Sequence, residues 1–244
     1  MDNSINKYSL SDRMSDLIAD DYRLLQVMSR FGLPLGFGDR TVQQVCDLHG
    51  VDAPTFLAVA NFMQEEDEQV HTDVAGLSIP CMMDYLKRAH SYYLDFCLPT
   101  IRRMLIEAIN SPANHQVAFL IQKFFDEYVA EVREHMEFED RHEFHYVNNL
   151  MQGNVEAAER ITHEACPMKA LMRKNAEGEP VSVYHAGEHS NILLFTRQHA
   201  LQHKQIDSKL AELKNIIIKY YPASQENHLL NAVLFNIFIS EEDL

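Results

Sequence analysis

"EHMEFEDRHEF", residues 134–144, sets two histidines and five acidic side chains in eleven positions, with no glycine or proline to interrupt a helix. On a helix, positions four apart share a face at about 6 Å, so His135 and Glu139 can reach one metal ion together. Glu134 and Glu137 point away from His135 in the same geometry. The plain alternative is a solvated acidic face, because the whole chain is acidic: 36 Asp and Glu stand against 21 Lys and Arg, a formal charge of -15. That balance disfavours nucleic acid and anionic membranes, which need clustered lysine and arginine.

Working outward, 244 residues with only eight glycines and eight prolines suit a mostly helical protein, since strand-rich folds use more turn residues. The N-terminus MDNSINKYSL lacks the basic start and apolar run of a secretion signal. The apolar stretch Leu229 to Ile239 is broken by asparagines and too short to span a bilayer. Cys46, Cys81, Cys97 and Cys166 form no CxxC pair, as expected of reduced thiols in the cytoplasm.

Apolar spacing predicts a helix over 11–31, broken by "FGLPLGFGDR". Two short helices follow, 40–49 closed by Gly50, and one capped by Asp52 with Pro54 in its first turn, running to Phe62. The acidic run "QEEDEQ", 64–69, reads as a linker, so residues 1–70 form a small helical module and 76–244 a second domain. Helical patterns then cover 80–110, 113–151 up to Gly153, 155–174, 183–219 and 224 to the chain end. Four of these are long enough for an up-down bundle, so the expected fold class is all-α. A helix-turn-helix reading of "TVQQVCDLHGVDAPTFLAVANF" is set aside: its second helix has no Lys or Arg, and residues 1–75 hold 13 acidic against 5 basic side chains.

His90 falls in the middle of one long helical pattern and His189 near the start of another, so three helices offer candidate nitrogen ligands. Histidines from several helices with bridging carboxylates are what a di-iron site in a four-helix bundle requires. His115 is about 30 Å along a shared helix from His135 and is set aside. His199 and His203, distant along their helix from His189, are read as surface or core histidines. His142 and His145 are read as surface hydrogen-bonding groups, and His228 is left open.

These residues resemble the hemerythrin-like family, in particular its repair-of-iron-centres branch, in which a small helical module precedes a di-iron four-helix bundle. His90 ahead of Leu98-Pro99 matches the first bundle helix. His135, Glu139 and Phe144 match the HxxxE-plus-aromatic motif of the second, and Glu188-His189 the third. The stretch "FGLPLGFGDRTVQQVCDLHG" is similar to the family's N-terminal module, with Gly36 and Phe37 near the place of its adjacent cysteines. The family's second HxxxE is absent from "NHLLNAVLFNIFISEEDL", so the expectation is a bundle cut short at its C-terminal end. His185, one turn before His189, gives an HxxxH like that of the oxygen-carrying hemerythrins, and is a weaker ligand candidate.

The resemblance implies a non-haem di-iron centre held by His90, His135, Glu139 and His189, with His185 as a further ligand. It also implies repair of iron–sulfur centres under oxidative or nitrosative stress. Two alternatives stand beside that: a sensor or binding protein for dioxygen, nitric oxide or iron, whose N-terminal module contacts a protein partner; and a metal-free helical interaction protein. A homodimer is compatible with each. No nucleophilic triad, phosphate loop or dinucleotide fingerprint is present, so a metal-binding repair or sensor role is expected ahead of a conventional enzyme.

Overall fold

The computed structural model describes residues 8–64, 76–109, 115–165, 172–174, 180–182, 190–223 and 226–243. The chain is almost entirely helical and divides into two compact units, Met1–Tyr93 and Leu94–Leu244. The division falls within the expected long helix 80–110, beyond the acidic run at 64–69.

The first unit holds α1 (Met14–Asp20), α2 (Leu24–Phe31), α3 (Val42–His49), α4 (Ala53–Phe62) and α5 (Ile79–Ser91). The single helix expected over 11–31 is broken in two at Asp21, which is extended at φ -139. Its carboxylate accepts from the backbone N–H of Arg23 at 3.0 Å and from the Arg23 guanidinium at 2.7 Å. A short acidic side chain that captures a nearby backbone donor competes with the helix ladder, and here it wins. The other boundaries follow local capping chemistry. Thr41 and Gln44 close a capping box at the start of α3, Asp52 accepts from Thr55 N–H at the start of α4, and Gly50 ends α3 in the left-handed region. Met14, Leu17, Val27, Met28, Val42, Val45 and Phe56 are buried together as the core of this unit.

A π-helical turn, Tyr92–Cys97, follows α5, and the second unit continues with α6 (Leu98–Ile109) and α7 (His115–Phe138). A second π-turn, Glu139–Glu143, leads into α8 (Phe144–Met151), and α9 (Val155–Ala165) packs on α8. Two three-residue strands, β1 (Met172–Lys174) and β2 (Pro180–Ser182), pair antiparallel where the expected helix 155–174 would have ended. The long α10 (Ser190–Tyr220) and α11 (His228–Asp243) complete the unit.

Four helices form a closed ring of neighbours: α6 packs on α7, α7 on α10, α10 on α11, and α11 back on α6. Their buried side chains recur every three or four residues. They are Leu98, Ile101, Leu105 and Ile109 on α6; Ile121, Phe125, Tyr128, Val132 and Met136 on α7; Ile206, Leu210, Leu213 and Ile217 on α10; and Leu230, Val233 and Ile237 on α11. That spacing gives each helix one apolar stripe, and each large aliphatic or aromatic side chain so buried contributes about 1.5–3 kcal/mol.

Polar links at the rim set the register. Arg102 grips Asp126 through two bonds of 2.6 and 3.0 Å, joining α6 to α7. Lys209 pairs with Glu131, and Lys214 with Glu241. Asn227 caps α11 through Leu230 N–H at 3.0 Å and donates to the Ala108 carbonyl at 3.1 Å, tying the start of α11 to the end of α6. Among the described residues no helix is long and apolar enough to cross a membrane.

Candidate metal centre

His135 and Glu139 lie where α7 passes into its π-turn, and the helix opposite brings His203 to them. The register follows from the links between α7 and α10: Glu131 meets Lys209, while His135, one turn further on, meets Gln202 and His203. Residue numbers rise along one helix as they fall along the other, so the two run antiparallel here. His203 lies three residues before Ile206 on the apolar stripe of α10, and His135 lies three after Val132 on that of α7. Both histidines therefore continue the inward faces of their helices to the end of the core.

Three donor atoms converge. The Nε2 of His135 is 3.3 Å from Oε1 of Glu139 and 3.1 Å from Nε2 of His203, and the third edge, His203 Nε2 to Glu139 Oε1, is 3.8 Å. A triangle with these edges has a point about 2 Å from every corner, the length of a metal–nitrogen or metal–oxygen bond. Three lone-pair carriers this close repel one another unless a proton or a metal ion sits among them. Two imidazole nitrogens and one carboxylate oxygen are the donor types of non-haem ferrous sites. Among the described residues, His135, Glu139 and His203 are the group that could hold a metal ion.

The π-turn contributes to the placement of Glu139. Phe144 N–H bonds back to the Glu139 carbonyl, five residues earlier, which loosens the usual ladder. Two side chains serve carbonyls nearby: Arg141 Nε donates to Glu137 O at 3.0 Å, and His142 Nδ1 lies 3.1 Å from Phe138 O. Phe144, just beyond, is buried and anchors the far side of the turn.

Exposure differs sharply across the site. The side chains of His135 and Glu139 are 6% and 13% exposed, that of His203 41%, so the centre opens to solvent along α10. Beside it a cleft of about 260 Å³ is lined by Glu131, Glu134, His135, Gln202, Gln205 and Ile206. Glu134, expected to face away from His135, shares this cleft with it. Deeper in the core, burial raises the Tyr128 hydroxyl well above its ordinary range, so it stays protonated.

The expected ligands are distributed as follows. His135 and Glu139 are brought together. His90 is buried on α5 in the first unit. His185, Glu188 and His189 lie outside the described residues, as do the side chains of His115 and His199. His142 bonds backbone, and His145 is exposed. His203, read from the sequence as a surface or core histidine, completes the cluster; its place on the 206-210-213-217 stripe was the available signal.

Compared with known proteins, the chain matches no family model, and no curated protein or solved structure matches it significantly.

Proposed function

We propose that this is a helical metal-binding protein whose working centre is His135, Glu139 and His203, with iron as its metal. The convergence of these three donors at one end of a packed helical core carries the reading. Bound there, iron supplies a change of oxidation state and open positions for a small ligand. The residues do the rest: Glu139 offsets part of the ion's charge, the two neutral imidazoles hold it without further charge, and the packed stripes of α7 and α10 hold the donors in place.

The finer form of the proposal is a hemerythrin-like up-down bundle with a di-iron centre acting in repair of iron–sulfur centres under oxidative or nitrosative stress. The ring of four helices and the HxxxE at the π-turn support it, and His185 and His189 of the same unit are its proposed further ligands. In this reading residues 1–70 are a separate module that contacts a protein partner. The reduced thiols of Cys46, Cys81 and Cys97 suit a cytoplasmic setting. A second reading, sensing of dioxygen, nitric oxide or iron, draws on the half-exposed His203, since an open edge admits a small ligand.

Metal content per chain tests the centre and separates its mononuclear from its di-iron form. Protein loaded anaerobically with ferrous iron and desalted should retain iron, and the His135→Ala, Glu139→Ala and His203→Ala variants should lose it. One iron per chain fits a mononuclear centre, and two fit the di-iron form. Retention by all three variants, or no retention by the parent, would remove the centre and leave a helical interaction protein.

A further inference from the structure

We infer that Gln202 is a positioning residue, which holds the His135 ring in the one tautomer able to bind a metal; the inference rests on the metal-centre reading above. The Nε2 of His135 faces Glu139 and His203, and its other nitrogen, Nδ1, lies 3.3 Å from the Gln202 side-chain oxygen. A neutral imidazole carries one N–H and one lone pair, and which nitrogen carries which is set by the partner each one meets.

An amide oxygen only accepts. It keeps the proton on Nδ1 and leaves the Nε2 lone pair turned toward the other two donors. With the amide reversed, its NH2 would face Nδ1, the proton would move to Nε2, and the metal position would be filled. The ring is buried, so bulk water supplies little of this direction. Gln202 directly precedes His203, so one turn of α10 provides both the third ligand and the group that orients the first.

The test is made on the full chain, labelled with 15N-histidine and free of metal, with His135 assigned by loss of its signals in His135→Gln. Long-range 15N–1H correlation should show the Nδ1–H form of His135 in the parent and a loss of that preference in Gln202→Leu. Cobalt(II) affinity, measured by chelator competition, should fall about 10–100-fold in Gln202→Leu, the usual cost of removing a histidine's outer partner. Gln202→Glu, which restores an acceptor, should recover parent-like affinity. Gln205→Leu, in the same cleft, should leave both readouts unchanged. An Nε2–H form in the parent, or parent-like affinity in Gln202→Leu, would overturn the assignment. Should the parent bind no cobalt, the metal-centre reading fails, and the tautomer still decides the role of Gln202.

Discussion

Replacing His203 with alanine separates metal binding from folding, because the three donors differ so much in burial. The His203 side chain is 41% exposed, so its loss costs the fold little, about 0.5–1 kcal/mol. Its effect on metal-linked stability is larger. An ion present at about 100 times its dissociation constant stabilises the folded state by about 2.7 kcal/mol. For a unit the size of Leu94–Leu244, that raises the unfolding midpoint by about 5–11 °C. Removing one of three ligands weakens binding by at least the roughly 10–100-fold that loss of an outer partner costs, so at the same metal concentration no more than about half the rise survives. Thermal unfolding followed by circular dichroism, with and without cobalt(II), measures this directly. The parent should show the full rise, and His203→Ala a similar metal-free midpoint with a rise cut by half or more. An undiminished rise in His203→Ala would refute the three-donor arrangement.

Leu213, fully buried at the centre of the α10 stripe, should cost about 2–5 kcal/mol when replaced by alanine, read as a lower urea midpoint. Asp21 is held below the usual carboxylate range, chiefly by its bonds to the Arg23 side chain. Its contribution is therefore present above the unfolded-state pKa and lost as pH falls toward the folded one. Asp21→Asn should lower stability at pH 7 by about 1–2 kcal/mol and flatten the decline below pH 5, as urea titrations across pH would show. Burial pushes the Cys46 thiol up to about 12. It should resist iodoacetamide at pH 8 until the chain is unfolded, and labelling of the native protein at a free-thiol rate would contradict its burial.

Much of the second unit was legible because its signal is periodic. The stripes on α6, α7, α10 and α11 repeat every three or four residues, and such a pattern survives without knowing which helix faces which. His135 and Glu139 were legible for the same reason, as an i, i+4 pair. His203 was not, although it lies on a visible stripe, because its meeting with His135 depends on the antiparallel register of two segments 68 residues apart. The break at Asp21 turns on a side chain competing with the helix for a backbone donor, an effect that apolar spacing does not report. The β1–β2 hairpin is too short for alternation to register.

A π-turn holds one residue more than the α-helical turn it replaces. An added residue in a straight helix would swing every later side chain by about 100° around the axis. Absorbed at Glu139–Glu143, it lets Met136 before the turn and Phe144 after it both stay in the core. The extra residue is thus taken up beside the candidate ligand Glu139, and the helix on either side keeps its apolar stripe facing the core.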